Sequence, residues 1–254
     1  MPPPTATGCV WITGASSGIG EALARRLAAQ GYRVAVSARS GEALQTLATQ
    51  AAGGRIRPFA VDVADCAAIA ATVSAIEQVC GPIHSAVLNA GTYRPMTVDD
   101  FDAVEAQRQI AVNLGGAVNS LAPLLAGMLQ RGHGHIVLVA SLTSRFGLPR
   151  AGVYGATKAA IVNLAQSLRA ECHGRGVVVQ IVNPGFVRTP LTDRNDFPMP
   201  FLVPLERAAE RIAKGMTGDR FEIAFPWQMA LATGVLRALP DAAALALTRR
   251  MVRR

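Results

Sequence analysis

The glycine-rich stretch TGASSGIG near the start of the chain most constrains its fold. It holds three glycines in eight residues: Gly14, Gly18 and Gly20. The stretch follows an apolar run at residues 10–12 that predicts a strand, and it opens a helical pattern at residues 19–30. Between a strand and a helix, such glycines permit a tight turn, approach of a ligand to the backbone and close helix–strand packing. Amides at the helix start then form a seat for pyrophosphate, although a turn that simply needs glycine is the alternative for this pattern alone.

Strand-like and helix-like patterns alternate along the rest of the chain. Runs rich in β-branched residues predict buried strands at residues 10–12, 33–37, 56–61, 85–88, 136–140 and 177–182. Alanine- and leucine-rich stretches between them predict helices, for instance at residues 67–80. Because parallel strands need right-handed crossovers, this order predicts a Rossmann-type, doubly wound α/β fold, with one parallel sheet and helices on both faces. No linker divides the 254 residues, so we expect a single domain.

Composition argues against several classes of function. The formal net charge is +8, but most of the arginines are scattered, without the clustered basic and aromatic residues of a nucleic-acid site. The four cysteines form no C-x-x-C pair and no leader-like segment opens the chain, so we expect a cytoplasmic protein with reduced thiols. The four histidines lack the spacing and acidic partners of a metal site, so no metal is expected.

The end of the second predicted strand bears on the choice of cofactor. In a dinucleotide fold, a carboxylate about 20 residues after the glycines holds the ribose 2′-hydroxyl of NAD, whereas an arginine accommodates the 2′-phosphate of NADP. This chain has Ala38 followed by Arg39. An acid would repel the phosphate, so the pair favours NADP(H), with an ordinary solvated arginine as the alternative. The hydroxyls of Ser16 and Ser17 either contact the phosphates or cap the helix.

A tyrosine and a lysine four residues apart supply candidate catalytic groups. Tyr154 and Lys158 fall in a predicted helix, where this spacing puts them on one face. A free phenol titrates near pH ~10, so acid–base chemistry by Tyr154 at neutral pH needs a nearby positive charge, which Lys158 can supply. Ser141 follows a predicted strand, at the edge where a parallel sheet presents groups to its ligand. Its hydroxyl could hold a substrate carbonyl while Tyr154 transfers the proton.

In this order the motifs resemble those of the short-chain dehydrogenase/reductase family. The resemblance runs from about residue 10 to about residue 190. It rests on TGASSGIG, DVAD from Asp62, NAG from Asn89, Asn113, Ser141, YGATK from Tyr154 and NPGFVRTP from Asn183. Each motif alone is weak, but their order and spacing together are specific. The chain departs from the usual pattern at Ala140 and Gly155, where many relatives have serine, and neither change removes a group that the chemistry needs.

The resemblance implies roles for many residues. Asp62 and Val63 would line an adenine pocket, and Lys158 would also bond the nicotinamide ribose. The implied catalytic residues are Asn113, Ser141, Tyr154 and Lys158. The implied cofactor-binding residues are Gly14, Ser16, Ser17, Gly18, Ile19, Gly20, Arg39, Asp62, Val63, Asn89, Ala90, Gly91, Tyr154, Lys158, Pro184, Gly185, Val187 and Thr189, of which the last four form a loop that would hold the nicotinamide carboxamide. Asn113 would interrupt its helix and anchor a water in a proton relay. A surface amide at Asn113, a strand cap at Ser141 and a turn hydroxyl at Thr189 are the structural alternatives.

Two classes of function fit these residues. The one we favour is an NADP(H)-dependent oxidoreductase that transfers hydride between nicotinamide and a carbonyl or secondary alcohol. The other is a non-catalytic NADP(H)-binding regulatory or structural module, although such a relative would be expected to have lost one of the four catalytic residues. Residues 191–208 resemble the family's substrate lid. Its apolar side chains favour a hydrophobic substrate or, equally, packing on the core: Phe197, Met199, Phe201 and Leu202.

The resemblance also implies self-association into a homodimer or homotetramer. The helix that enters Asn113 and the helix that carries Tyr154 pair in this way in many family members. An apolar outer stripe on these helices is expected to remain once the sheet is covered, and it includes Ala159, Val162, Leu164 and Leu168.

The C-terminal tail, residues 225–254, combines an apolar stretch at residues 227–239 with a basic end. Its terminal arginines are Arg249, Arg250, Arg253 and Arg254. One expectation is that the tail folds over the substrate pocket or into a subunit interface, with its arginines in solvent. The other is docking at the inner face of a membrane, with Trp227, Met229, Leu231 and Leu236 entering lipid.

Overall fold

The computed structural model describes residues 8–194 and 197–252. The strands are β1 (Cys9–Thr13), β2 (Val34–Ala38), β3 (Ile56–Ala60), β4 (Ile83–Leu88), β5 (Gly134–Val139), β6 (Val177–Pro184) and β7 (Glu222–Phe225). The helices are α1 (Gly18–Ala29), α2 (Gly41–Gln50), α3 (Cys66–Cys80), α4 (Ala103–Ile110), α5 (Gly116–Arg131), α6 (Gly152–Glu171), α7 (Leu205–Gly215), α8 (Trp227–Ala238) and α9 (Asp241–Arg249). A π-helical turn, Ala111–Gly115, joins α4 to α5. Of the residues named above, Arg253 and Arg254 lie outside the described part, and so do two positions of the expected lid, Asn195 and Asp196.

The strands form one parallel sheet in the order β3-β2-β1-β4-β5-β6-β7. The chain therefore winds outward from β1 in one direction, then returns to the centre and winds outward from β4 in the other. The predicted Rossmann-type α/β fold is confirmed. In such sheets a ligand crevice opens beyond the carboxyl ends of the strands at the point where the order reverses, here between β1 and β4.

Alternation along β1 shows why the strand sequences are apolar throughout. Cys9 and Trp11 pack into one core layer, with residues of α3, α5 and α6. Val10 and Ile12 face the opposite layer, with residues of α1, α2 and α7. Helices cover both faces of the sheet, so the residues that point to either face are buried. The strand therefore reads as a continuous apolar run.

The sequence predicted six of the seven strands to within about two residues, but it missed β7. This strand has four residues, and three of them are only partly buried. Its first residue is Glu222, which pairs with Arg145. A short edge strand that carries an ion pair gives neither an apolar run nor a clear alternation. Strand β7 matters for the site because α8 begins two residues after it ends.

The expected apolar stripe on α6 is largely covered. Val162, Leu164 and Leu168 are partly buried against the core of their own chain, because the 20-residue α6 lies along the sheet for its full length. The exposed large apolar side chains on α4 and α5 are instead Val104, Ile110 and Val118. The surface expected to meet a second copy is thus carried by α4 and α5 more than by α6.

The continuous helical segment Ala103–Arg131 is long and apolar enough, by length and composition, to cross a membrane. Within the described chain it packs as a core helix instead. Leu121, Leu124 and Met128 are buried between α3 and the sheet. A core helix of a globular protein commonly passes the same test, so we assign the segment to the fold.

The C-terminal helices lie against the domain. Arg145 donates to the carbonyl of Ala230 and, over 3.4 Å, to the hydroxyl of Thr233, which holds α8 next to the turn after Ser141. A Cβ on Gly185 would lie 2.7 Å from the Met229 sulfur, so this methionine packs on the fold. Met229 is therefore not free to enter lipid as expected and Leu236 is half-buried, whereas Trp227 and Leu231 are exposed. A spacing of two residues turns Met229 to the side of the helix opposite Trp227 and Leu231.

Candidate active site

The glycine-rich turn leaves room for a ligand at the N-terminus of α1. Gly14 and Gly18 have φ values of 66° and 58°, which favour glycine. A Cβ on Gly14 would lie 2.7 Å from the Cα of Ala90, and one on Gly20 would lie 2.5 Å from the carbonyl oxygen of Gly14. The turn is therefore packed as closely as glycine allows, and the first amides of the helix are the groups that the sequence predicts to bind the phosphates of a dinucleotide.

Two hydroxyl residues of this turn can now be placed. Ser17 is the N-cap residue of α1, yet its side chain makes no capping hydrogen bond and is exposed. Ser16 is half-buried, and Ile19 follows in the first turn of the helix. Ser17 therefore does not cap the helix through its side chain, and a contact of its hydroxyl with the phosphates stays a prediction.

The residues expected at the adenosine end lie at the carboxyl ends of β2 and β3, two neighbouring strands. Ala38 is the last residue of β2, and Arg39 follows it with an exposed side chain that forms no ion pair among the described residues. Asp62 follows β3, and its carboxylate accepts the backbone N–H of Ala64 at 3.0 Å. Val63 is buried beside Gly116 of α5. Arg39, Asp62 and Val63 thus stand at the same edge of the sheet as the glycine-rich turn.

Asn89 joins the two central strands at the reversal point. Its side-chain amide donates to the carbonyls of Thr13 at 3.0 Å and Gly14 at 3.1 Å. The hydroxyl of Thr13 accepts the backbone N–H groups of Asn89 and Ala90. These four bonds hold the turn at residues 89–91 against the glycine-rich turn. The supporting role of Thr13, which is 2% exposed, was not identified from the sequence.

The hydroxyl of Ser141 lowers the pKa of the Tyr154 phenol and so favours its ionised form. Ser141 follows β5 and is buried, and its hydroxyl also accepts the backbone N–H of Thr143 at 3.2 Å. Burial is the main cause that raises the pKa of Tyr154 to about 12, and nearby Tyr93 contributes to this rise. The residues of the chain alone thus leave Tyr154 protonated at neutral pH, whereas the sequence had pointed to activation by Lys158.

Lys158 lies on the same face of α6 as Tyr154, as the four-residue spacing predicts. Its Nζ is 5.6 Å from the centre of the Tyr154 ring and donates to the carbonyl of Val139 at 2.8 Å. The side chain is 3% exposed, and burial lowers its pKa to about 8. A Cβ on Gly91 would lie 3.5 Å from this Nζ and 3.4 Å from Oδ1 of Asn113. Gly91 therefore marks the point where the lysine and the asparagine approach each other.

Asn113 interrupts its helix as expected, because it lies in the π-helical turn between α4 and α5. Its side chain is 1% exposed, which excludes the surface-amide alternative. Its Oδ1 accepts the backbone N–H of Thr92 at 2.7 Å. Its Nδ2 donates to the carbonyl of Thr92 at 3.0 Å and to the hydroxyl of Thr157 at 3.1 Å. The side chain thus fixes the segment after Gly91 to the helix that carries Tyr154 and Lys158.

The loop after β6 closes the other side of the crevice. Pro184 presents its carbonyl 3.5 Å from the Ser141 hydroxyl, and Gly185 donates its N–H to Phe225 at 2.7 Å. Val187 pairs with Val203. The methyl of Thr189 lies 3.3 Å from the position that a Cβ on Gly18 would take. The loop therefore reaches from Ser141 to the glycine-rich turn. These two places are the expected positions of the nicotinamide and the phosphates of a dinucleotide.

Comparison with known proteins agrees with this geometry. The family described as short chain dehydrogenase matches residues 8–197, which is about three quarters of the chain. The chain belongs to this family. An uncharacterized oxidoreductase of Myxococcus xanthus is 37% identical over 232 residues, which cover 91% of this chain and 92% of the relative. The chain is thus a member of an oxidoreductase family that acts on alcohols and ketones.

Solved structures of family members resemble this short-chain dehydrogenase along most of its length. The closed form of serine dehydrogenase complexed with NADP⁺ has a TM-score of 0.78 at 27% identity, covering 87% of this chain and 95% of that one. The 3-ketoacyl-(acyl-carrier-protein) reductase from Brucella melitensis, complexed with NADH, has a TM-score of 0.78 at 26% identity, covering 87% and 96%. Nicotinamide dinucleotides are thus the cofactors of both neighbours.

Tyr93, Arg150 and Phe186 contact residues that were predicted from the sequence, but were not themselves singled out. The ring of Tyr93 lies 5.0 Å from that of Tyr154. The Arg150 guanidinium lies 5.8 Å from the ring centre of Phe197, which meets Phe186 edge-on at 5.9 Å. The order NAG-Thr-Tyr placed Tyr93 beside an expected cofactor turn, but only the fold shows that it contacts Tyr154.

The segment predicted as the lid of the dehydrogenase, residues 191–208, includes the start of a helix. Helix α7 begins at Leu205, and Ala208 is fully buried. The irregular segment therefore ends before α7, because the apolar face of that helix packs on α1. Within the segment, Phe197 contacts Phe186, whereas Phe201 is 54% exposed.

Proposed function

We propose that the protein is an NADP(H)-dependent oxidoreductase that interconverts a carbonyl and a secondary alcohol on a hydrophobic substrate. The observation that carries the proposal is the convergence of Ser141, Tyr154, Lys158 and Asn113 beside the glycine-rich turn. Ser141 lowers the pKa of the Tyr154 phenol, and Lys158 and Asn113 flank Gly91. A module without turnover would have no need to keep all four groups in bonding or contact distance.

Tyr154 is the proposed proton donor for reduction and proton acceptor for oxidation. In reduction, its phenol gives the proton to the carbonyl oxygen while the carbonyl carbon takes the hydride, which yields the alcohol and the oxidised cofactor. The hydroxyl of Ser141 bonds the same oxygen and orients the carbonyl. Roles of this kind require the two hydroxyls to lie close together, which the effect of Ser141 on the pKa of Tyr154 supports.

The raised pKa of Tyr154 defines what the bound cofactor has to supply. The nicotinamide ring gives or takes the hydride, and in its oxidised form it adds positive charge next to the phenol. Lys158 is proposed to exchange its bond to Val139 for the nicotinamide ribose and to hold its charge close to Tyr154. A proton path from Lys158 past Asn113 to water stays a prediction.

The preference for NADP(H) rests on the end of β2. Similar structures contain NADP⁺ in one case and NADH in another, so membership of the family leaves the choice open. In this chain Arg39 is exposed and lacks an ion-pair partner in the described part, and Ala38 stands where an acid would repel a 2′-phosphate. Arginine is well suited to phosphate because its planar guanidinium donates several hydrogen bonds.

The preference for a hydrophobic substrate rests on aromatic residues beside Tyr154 and in the expected lid. Phe186 and Phe197 are in edge-on contact, and the ring of Tyr93 contacts the ring of Tyr154. The similar protein from Brucella melitensis is named for a 3-ketoacyl substrate. Apolar surface around a few convergent polar groups is typical of a site for an apolar ligand.

The enzyme is further proposed to be a cytoplasmic homodimer or homotetramer. Val104, Ile110 and Val118 give α4 and α5 an exposed apolar surface. Burial of such a surface in a symmetric contact stabilises an oligomer. Contact with a membrane through the C-terminal helices is a separate proposal.

Turnover of a panel of carbonyl compounds tests the proposed function. Ketones with polar, aromatic and long-chain apolar substituents are assayed with NADPH and with NADH, and the corresponding alcohols with NADP⁺ and NAD⁺. We expect reduction of apolar ketones with NADPH and loss of this activity in Tyr154→Phe. Absence of turnover with every compound, in protein that still binds NADPH, would support a module without catalysis.

A further inference from the structure

Helix α8 presents an apolar face to solvent although its other side is held by the fold. Trp227, Leu231 and Val235 are 68%, 61% and 52% exposed. Their four-residue spacing places them on one face. The contacts of α8 with Arg145 and Gly185 come from other sides of the helix, through Ala230, Thr233 and Met229. The two expectations for the tail are therefore compatible, since one side packs on the domain and the other is free.

Helix α9 follows α8 in the chain and also carries exposed apolar side chains. It is anchored by Ala244 and Thr248, which are buried. Two other residues of the helix, Leu245 and Leu247, are about half exposed, and so are Met251 and Val252, which follow it. Of the large apolar residues that are exposed in the described part of the chain, half lie between residues 227 and 252. We call the seven exposed apolar residues between Trp227 and Val252 the tail surface.

The two helices that carry the tail surface, and the residue after them, also carry positive charge. Arg237, Arg249 and Arg250 are exposed and form no ion pair within the described residues. Residues 227–252 contain a single acid, Asp241. Exposed apolar side chains bordered by unpaired arginines are a composition that suits a negatively charged, apolar partner.

We propose that the tail surface is a docking site for a bilayer that contains anionic lipids. Trp227, Leu231 and Val235 enter the boundary between headgroups and acyl chains, while the arginines contact the phosphates of the headgroups. Helix α8 has 12 residues, a length of about 18 Å, so it lies in the interface and does not span the bilayer.

A second copy of the chain fits this surface less well. A two-fold contact would bring the same patch of both copies together. Three described arginines in each copy would then face those of the other, with one acid per copy to balance them. A membrane has no such repulsion because its phosphates complement the arginines.

Docking would also place the catalytic crevice near the bilayer. Arg145, which holds α8, lies four residues after Ser141, and Met229 packs on Gly185 of the loop beside the crevice. A substrate dissolved in the membrane would then have a short path to Tyr154. This consequence rests on the proposed function, whereas docking itself does not and is tested without turnover.

Vesicle flotation and tryptophan fluorescence test the proposal on the full chain. The vesicles contain phosphatidylcholine alone or phosphatidylcholine mixed with phosphatidylglycerol. We expect the protein to float with the mixed vesicles at low salt and to be released by high salt. The chain has two tryptophans, and Trp11 is fully buried and bonded to Ser37. A blue shift of the emission on addition of mixed vesicles therefore reports entry of Trp227 into lipid.

Matched variants assign the binding to the tail surface. Leu231→Gln with Val235→Gln keeps Trp227 as the probe and is expected to weaken binding at least tenfold, about the effect of losing two partly buried apolar side chains. Arg249→Gln with Arg250→Gln is expected to weaken binding by roughly tenfold or more, because each arginine near the surface counts for about fivefold. The matched controls are Val79→Gln with Val98→Gln, and Arg57→Gln with Arg175→Gln, which should bind like the wild type.

Three outcomes overturn the proposal. One is a wild-type chain that does not float with mixed vesicles at low salt. Another is flotation that the Leu231→Gln, Val235→Gln variant leaves unchanged, since a different surface would then be responsible. In the third, the wild type does not float and the Leu231→Gln, Val235→Gln variant has a lower mass than the wild type in light scattering. The tail surface would then be a contact between copies of the chain.

Discussion

The ring of Tyr93 lies 5.0 Å from the ring of Tyr154, with an angle of 56° between their planes. Tyr93 is 8% exposed and follows the segment that Asn113 fixes to α6. The pair thus joins the turn after β4 to the proposed proton donor. Because Tyr93 also raises the pKa of Tyr154, it acts on the donor through both packing and charge.

Tyr93→Phe is expected to keep the ring contact and to lower the pKa of Tyr154. In alcohol oxidation the phenolate accepts the proton, so the rate increases as pH rises through that pKa. The variant should therefore reach its plateau at a lower pH than the wild type, as measured by kcat against pH. Tyr93→Ala removes the ring as well and should lower kcat by roughly two- to tenfold.

A control separates this effect from a general one. Tyr32→Phe changes a tyrosine on the opposite layer of the sheet and should leave the pH profile in place. A Tyr93→Phe profile that coincides with that of the wild type would show that Tyr93 does not influence the donor.

Tyr154→Phe is expected to lower kcat by about 10² to 10⁴ while NADPH binding is about unchanged. The substitution removes only the phenolic hydroxyl and leaves the ring against Tyr93. NADPH binding is measured by fluorescence titration, and turnover by absorbance of the reduced cofactor. Substantial turnover in this variant would exclude Tyr154 as the essential acid.

Local patterns predicted those parts of the site in which neighbours in sequence are neighbours in space. The turn from β1 to α1 is such a case, because Gly14 and Gly18 lie within one short stretch between two strongly patterned elements. Tyr154 and Lys158 are another, since helix geometry alone puts them on one face. In both cases the relevant distance is fixed by local backbone conformation.

Long-range contacts could not be predicted from the sequence, because no local backbone conformation fixes their distances. Arg145 meets Glu222 and Ala230 across 77 and 85 residues, and no local pattern marks that distance. The rise in the Tyr154 pKa depends on burial, which only the packed structure defines. A residue such as Thr13 shows no sign of its two accepted hydrogen bonds until β4 is placed beside β1.

Arg39→Ala is expected to weaken NADPH binding much more than NADH binding. Loss of one charge-assisted hydrogen bond to a 2′-phosphate costs roughly 1.5 to 3 kcal/mol, or about 10- to 150-fold in the dissociation constant. Both constants are measured by titration calorimetry, with Arg57→Ala as the matched control. If both cofactors weaken equally, Arg39 does not select between them.

Lys158 is expected to make the protein more stable as pH rises from 8 to 10. Its pKa is lowered to about 8 in the folded chain, whereas an unfolded lysine keeps its proton up to about pH 10.4. In this range the unfolded state binds more protons, so the free energy of unfolding increases with pH, by about 2 to 3 kcal/mol at most. Lys158→Met removes this contribution and should show a smaller increase in urea unfolding. Parallel pH dependences of the two proteins would contradict the lowered pKa.

Self-association is expected to depend on the exposed apolar residues of α4 and α5. Light scattering at micromolar concentration should give the mass of a dimer or tetramer for the wild type. Val104 and Val118 are 78% and 48% exposed in the single chain, so Val104→Glu with Val118→Glu would bury unpaired carboxylates in the contact and should reduce the mass. Val79→Glu, at a position that is 62% exposed on α3, adds a charge elsewhere and should leave the mass unchanged. A monomeric wild type would refute the association, and a double variant with the wild-type mass would move the contact to another surface.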